Sequence, residues 1–185
     1  MGGTFSAYLI YIALIICFLA ICAILPARNR KKKDKKNLRH EPVCCGNVSV
    51  FFDDDGNVTI IPYVKNKYGI GKAIANPAFL SHPYKAETLG KLVRASMKLC
   101  ENGSAGTDEE LMSKLNYRNW KEFSEGKRNI SVHYDEKFGV VMNSTGRAAD
   151  GSFQFNSPTY EKVLNGSASD KEIGEALIAL LPRCR

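Results

Sequence analysis

The sequence lacks the spaced motifs by which most enzymes and metal proteins are recognised. Its three histidines are far apart, and its six cysteines form no C-x-x-C pair. The glycine loop that ends at Gly71 lacks the glycine at Asn66 and the Ser or Thr at Ala73 that a Walker phosphate loop requires. We therefore expect no catalytic residue, no metal ligand and no cofactor, and we expect that the protein is not an enzyme.

An enzymatic alternative rests on His133. Together with Cys45 or Cys100 and a carboxylate, this histidine could form a nucleophilic site. Nothing in the spacing places these residues together, and His133 falls within a predicted strand. The sequence therefore favours a protein that acts by binding.

The long C-terminal part of the chain has no net charge. Residues 41–185 contain 18 basic and 18 acidic side chains, whereas the whole chain has a formal net charge of +7. The excess lies in residues 26–40, where eight Lys and Arg accompany one acid, Asp34. A neutral domain has no broad electrostatic footprint for nucleic acid, so we expect no direct nucleic-acid partner.

One long apolar run is present near the N-terminus. Residues 5–25 contain 21 consecutive residues without a charge, and about 20 apolar residues are enough for a helix to cross a bilayer. The basic residues that follow indicate a cytoplasmic C-terminal side and contact with anionic lipid. They are Arg28, Arg30, Lys31, Lys32, Lys33, Lys35 and Lys36. We expect a single-pass membrane protein whose C-terminal domain is cytoplasmic. A cleaved signal peptide is the alternative, but its charges precede a shorter apolar run.

Six N-x-S/T sequons conflict with this orientation. They begin at Asn47, Asn57, Asn102, Asn129, Asn143 and Asn165. A secreted glycoprotein would explain so many sequons. Several of them fall in Asn-Gly turns or at the start of predicted strands, where Asn has a backbone role of its own. The cytoplasmic orientation is therefore kept as the expectation.

The periodicities predict an α+β domain, an antiparallel sheet with segregated helices, preceded by one transmembrane helix. The expected divisions are an anchor at residues 1–25, a basic linker at 26–43 and a single domain at 44–185. An Asp-Gly turn joins two apolar runs into a hairpin, and capping boxes begin helices at Thr107 and Ser169. The predicted strands are 48–52, 58–64, 129–134, 139–143, 152–155 and 160–164, and the predicted helices are 86–101, 107–116 and 169–181.

Three aromatic residues recur at spacings of three in the middle of the chain. Tyr117, Trp120 and Phe123 are expected to share one face of a helical turn, most simply as part of the core. A stacking site for a ligand is the alternative.

Four segments resemble the CdiI family of contact-dependent growth inhibition immunity proteins. They are residues 87–92, 115–123, 129–133 and 169–177, so the resemblance spans roughly residues 46–185. The resemblance implies a protein that binds a toxin domain, often a nuclease, and neutralises it by occluding its active site. Members of the family are generally soluble, and the predicted membrane anchor departs from that pattern. Together with the anchor, the resemblance implies a single-pass protein of the bacterial inner (plasma) membrane.

The resemblance also directs attention to acidic side chains, which can mimic the phosphates bound in a nuclease cleft. The candidate partner-binding residues are Asp53, Asp54, Asp55, Asp108, Glu109 and Glu110. Their ordinary interpretation is a solvated turn and a helix N-terminus stabilised by acids. A membrane-anchored scaffold without a toxin partner is the alternative function.

Overall fold

The chain divides into two compact units, residues 1–40 and 41–185. The computed structural model describes residues 42–65 and 71–185. The predicted membrane span at residues 5–25 and the predicted lipid-contacting residues at 28–36 lie outside the described residues. All of the described residues belong to the second unit.

The second unit is built on one antiparallel sheet, in which the described residues form eight strands. The strands follow the path β3-β2-β1-β5-β6-β7, while β4 also pairs with β2 and β8 also pairs with β6. Their bounds are β1 Asn47–Phe52, β2 Val58–Lys65, β3 Gly71–Ala73, β4 Ala78–Leu80, β5 Arg128–Asp135, β6 Gly139–Arg147, β7 Phe153–Phe155 and β8 Lys162–Leu164.

Four α-helices connect or follow these strands in the described part of the chain. They are α1 Ala86–Asn102, α2 Asp108–Leu115, α3 Trp120–Ser124 and α4 Asp170–Leu180, after which Leu181–Arg183 forms a 3-10 turn. The starts of α2 and α4 are fixed by capping boxes, Thr107 with Glu110 and Ser169 with Glu172. Each box satisfies backbone N–H groups that have no partner within the helix.

The core lies mainly on one face of the sheet, which we call the inner face. Alternate residues of the central strands, such as Val50, Ile130 and Met142, pack there against α1 and α4. The opposite, outer face carries a smaller cluster, in which Phe51 and Ile61 pack against α2 and α3. Both faces of β1 and β2 are therefore buried.

The expected fold class is wrong in its arrangement of the helices. The helices are not segregated to one side, because consecutive apolar residues such as Phe51 and Phe52, or Ile60 and Ile61, require cover on both faces of the sheet. In the part of the chain that the structure describes, no helix has both the length and the apolar character needed to cross a membrane. The fold is α+β, with an antiparallel sheet between two unequal layers of helices.

The predicted hairpin is confirmed, because Phe52 pairs with Val58 across the Asp-Gly turn. The helices predicted at residues 86–101, 107–116 and 169–181 are also present, within a few residues at their ends. The short strands β3 and β4 are absent from the sequence prediction. The aromatic triplet differs too, since the helix begins only at Trp120 and Tyr117 precedes it.

Helices α1 and α4 cross at a distance that only glycine permits. A Cβ atom on Gly90 of α1 would lie 1.7 Å from the carbonyl oxygen of Asp170, and one on Gly174 of α4 would lie 1.8 Å from that of Ala86. An ion pair joins the same two helices, with Arg94 Nε 2.6 Å from Asp170 Oδ1 and both side chains largely buried. The crossing is therefore fixed by shape and by charge together.

We predict that Gly174→Ala destabilises the protein. Alanine gains about 1 kcal/mol over glycine within a helix, but the new methyl group meets backbone that cannot move aside. We therefore expect a net loss of about 1–3 kcal/mol in the free energy of unfolding, measured by urea denaturation. The control is Glu175→Ala on the exposed side of α4, whose loss should stay below about 0.5 kcal/mol. An unchanged midpoint in Gly174→Ala would show that the crossing is not tight.

Candidate functional site

A large cavity opens on the outer face, beside the layer that α2 and α3 form. Its volume is about 1010 Å³, and we call it the outer-face cleft. Its floor comes from β1, β5 and β6, one wall from α3, and the other wall from the segment 148–155. The cleft exists because the short helices leave much of this face uncovered.

The floor of the cleft is made of small polar side chains. Ser49 and Ser131 face each other in the register of β1 and β5. Asn129 and Thr145 are buried next to them, and the Thr145 hydroxyl donates to the backbone oxygen of Asn129 at 2.7 Å. These hydroxyl and amide groups occupy the outward positions of strands whose inward positions are apolar.

The walls of the cleft are aromatic. Phe51 contacts Phe153 edge-to-face at 5.7 Å between ring centroids, and Trp120 of α3 contacts the buried Phe123 at 5.6 Å. Phe155, on the edge strand β7, lines the cleft with 57% of its surface exposed. Exposed aromatic rings around a polar floor are typical of the centre of a protein-binding surface.

Arg147 holds the two walls together. One guanidinium nitrogen donates to Ser124 Oγ and to the Gly151 carbonyl, both at 3.2 Å. The other donates to the Ser124 carbonyl. The guanidinium also stacks on the Phe153 ring, 4.8 Å from its centroid. The end of α3 and the 148–152 segment are thereby joined through one side chain.

The predicted acidic residues divide into structural and exposed groups. Asp53 accepts hydrogen bonds from the backbone and side chain of Asn57, at 2.7 and 3.0 Å, and so holds the hairpin turn. Glu110 completes the capping box of α2. The other four carboxylates have exposed side chains; they are Asp54, Asp55, Asp108 and Glu109.

One of the exposed acids lies near the cleft. A Cβ atom on Gly126, which lines the cleft, would lie 3.7 Å from Asp54 Oδ2. Tyr63 also lines the cleft, and burial, with a smaller contribution from the charge of Asp108, raises the pKa of its phenol. None of the six predicted acidic residues is itself among the residues that line the cleft.

The residues of the enzymatic alternative are not assembled into a site. His133 lies on the outer face against Tyr160, with ring centroids 5.5 Å apart, and burial lowers its pKa. The Cys100 thiol packs on the inner-face core and donates to the Asn47 carbonyl at 3.4 Å. Burial also raises the pKa of Cys45 to about 11, so that its thiol is protonated at neutral pH.

Sequence reasoning missed the cleft itself. Its floor residues, such as Ser49 and Ser131, alternate with apolar residues along their strands, a pattern that is typical of any half-buried strand. The sequence did contain a signal for the cleft. Consecutive apolar residues in β1 and β2 indicate that helices cover both faces of the sheet. Polar residues on the face that the shorter helices cover then indicate that part of that face is open to solvent. The two sequons at Asn129 and Asn143 include the floor residues Ser131 and Thr145 as their third positions.

No family model and no curated protein matches the sequence. Solved structures do match. One is a protein of unknown function from Neisseria meningitidis, at 15% identity and a TM-score of 0.61, over 79% of this chain and 99% of that one. Another is a chain of the CdiA-CT/CdiI toxin and immunity complex from Yersinia pseudotuberculosis, at 12% identity and a TM-score of 0.58, over 78% of this chain and 100% of that one. At such identities the likeness establishes the fold alone. The resemblance to the CdiI family predicted from the sequence therefore holds at the level of the fold.

We predict that Arg147→Lys loosens the cleft walls. Lysine keeps the charge but lacks the planar guanidinium fork that bonds Ser124 and Gly151 together and stacks flat on Phe153. We expect faster amide hydrogen exchange in residues 148–153 and a loss of about 0.5–1.5 kcal/mol in the free energy of unfolding. The matched control is Arg118→Lys, whose side chain is 87% exposed beside Glu122 and should leave both quantities nearly unchanged. Equal exchange rates in the two variants would contradict the bridging role of Arg147.

Proposed function

We propose that this protein is an immunity-type inhibitor, which binds a protein toxin domain of contact-dependent growth inhibition and blocks its active site. The observation that supports this most is the fold shared with a chain of a toxin and immunity complex, over the whole length of that chain. The proposal concerns residues 42–185.

Inhibition by occlusion needs a rigid surface of sufficient size, about 800 Å² on each partner. It needs no catalytic residue and no cofactor, so we propose that the protein is not an enzyme. We assign the outer-face cleft as the centre of the surface. Trp, Tyr and Arg dominate the energetics of many interfaces, and this cleft combines Trp120, Tyr63 and Arg147 with the exposed ring of Phe155.

The charges around the cleft suggest the chemistry of the partner. Asp54 and Asp55 project from the hairpin turn on one side, and Asp108 and Glu109 begin α2 on another. Carboxylates at the rim favour a partner with a basic surface, because complementary charge speeds association. A nuclease toxin has such a surface where its nucleic-acid substrate binds. We therefore propose a nuclease domain as the partner.

The direct test is a pull-down of the full chain with toxin domains encoded beside its gene, followed by a growth-protection assay. We predict that Phe155→Ala weakens capture of the toxin domain at least about fivefold, which corresponds to the loss of about 1 kcal/mol that marks an energetically important interface residue. The matched control is Phe79→Ala on β4, because Phe79 is exposed to nearly the same extent, 56%, and does not line the cleft. An equal loss of toxin affinity in both variants would show that the interface is not centred on the cleft. Failure of every co-encoded toxin domain to bind would overturn the proposed function.

A second prediction addresses the acidic rim. We expect the double substitution Asp54→Asn and Asp55→Asn to slow association with the toxin domain several-fold at low salt and to have less effect at high salt. Stopped-flow or biosensor association rates measure this directly. Substituting Lys171 and Glu175 of α4, an exposed ion pair, by Gln provides the control, because it leaves the cleft rim intact. Association rates that are independent of both salt and the Asp substitutions would exclude electrostatic steering by this turn.

A further inference from the structure

Two adjacent cysteines and a carboxylate meet at the edge of the inner face. The side chains of Cys44, Cys45 and Glu101 each present one ligand atom, and these three atoms lie within 4.8 Å of one another. Cys44 and Glu101 are exposed, and Cys45 is half-buried, so the cluster is open to solvent on one side. No part of the proposed toxin-binding function uses these residues.

The fold forces this meeting through a close backbone contact. Gly46 has a φ of +111°, and a Cβ atom there would lie 2.6 Å from the backbone oxygen of Met97. The segment that carries the cysteine pair therefore rests directly on the last turns of α1. The Cys100 thiol strengthens this contact, since it donates to the Asn47 carbonyl at 3.4 Å.

The segment is also held at its sides, so the two thiols start from a fixed backbone. The Val43 amide donates to the Gly166 carbonyl at 2.8 Å, and the Tyr134 amide donates to the Gly46 carbonyl at 3.0 Å. The chain bends at Cys45. Such a bend allows neighbouring side chains, which point in opposite directions in a strand, to turn towards the same side.

The electrostatics at the C-terminal end of α1 favour a bound cation. The carboxyl end of a helix carries a partial negative charge, and the last turn of α1 contains Glu101 and no basic residue. Two sulfur ligands and one carboxylate at such a helix end form a donor set that suits a borderline-soft divalent ion.

We propose that Cys44, Cys45 and Glu101 bind one Zn²⁺ ion, with water in the fourth position. Zinc takes thiolates at about 2.3 Å and carboxylate oxygens at about 2.0–2.2 Å in tetrahedral geometry. Two thiolates at that distance are roughly 3.8 Å apart, a separation that the 4.8 Å limit on the three ligand atoms allows. The exposed side chains of Cys44 and Glu101 can adjust to the tetrahedral geometry by rotation. The bound ion links the start of β1 to the end of α1.

The test uses the reduced, metal-free full chain, titrated without oxygen with Zn²⁺ against a chromophoric chelator and with Co²⁺ as a spectroscopic probe. We expect one ion per chain and a thiolate-to-cobalt charge-transfer band. Cys44→Ser should weaken zinc binding at least about a hundredfold, beyond the 10–100-fold typical of residues that only support a ligand. Glu101→Gln should weaken it at least about tenfold, while keeping the charge-transfer band.

The controls use the same residue types elsewhere in the chain. Cys184→Ser and Glu175→Gln should each leave the stoichiometry and affinity unchanged, because neither residue belongs to the cluster. Zinc should also raise the thermal unfolding midpoint of the unsubstituted chain and fail to do so in Cys44→Ser. The proposal is overturned if the reduced chain takes up no ion, or if Cys44→Ser and Cys184→Ser bind zinc equally well. Circular dichroism identifies any variant that is unfolded before metal is added. Cys44 is exposed, so its substitution by serine removes no buried packing.

Discussion

The close crossing of α1 and α4 is the constraint on which the rest of the domain depends. Gly90 and Gly174 allow the two backbones to meet, and the buried pair of Arg94 and Asp170 fixes how they are rotated. Two helices held this tightly act as one flat layer over the inner face. Because α1 then has a single position along the sheet, its last turn must end against Gly46 at the start of β1.

The same arrangement explains why the outer face is only partly covered. The longer helices, α1 and α4, cover the inner face, where the larger apolar cluster lies. The outer face receives only α2 and α3, of eight and five residues, which bury Phe51, Ile61 and Phe123. The outward positions at the floor of the cleft are occupied by Ser, Asn and Thr, which tolerate contact with water. A cleft with a polar floor and aromatic walls is the consequence of two unequal helical layers.

The features predicted correctly from the sequence are those that short-range interactions determine. The hairpin follows from the Asp-Gly turn, and the starts of α2 and α4 follow from Thr107 and Ser169, each of which needs only a partner three residues away. Strands β3 and β4 have three residues each and no periodicity of their own, so they exist only because β2 offers two free segments to pair with. The placement of helices on both faces is likewise a tertiary outcome. It was nonetheless indicated by the consecutive apolar residues in β1 and β2.

Local patterns identified the acids but could not separate their roles, because the division depends on neighbours. Asp53 and Asp54 are adjacent in sequence, yet one is bound to Asn57 within the turn while the other is exposed beside Gly126. The cysteine pair illustrates the same dependence on neighbours. A search for spaced motifs cannot detect a metal site whose ligands are far apart in the sequence, because folding brings such ligands together in space. Glu101 reaches Cys44 and Cys45 only because the glycine contacts bring the end of α1 beneath them. A donor set of this kind is thus a product of backbone packing, and glycines at close contacts mark where such sets can form.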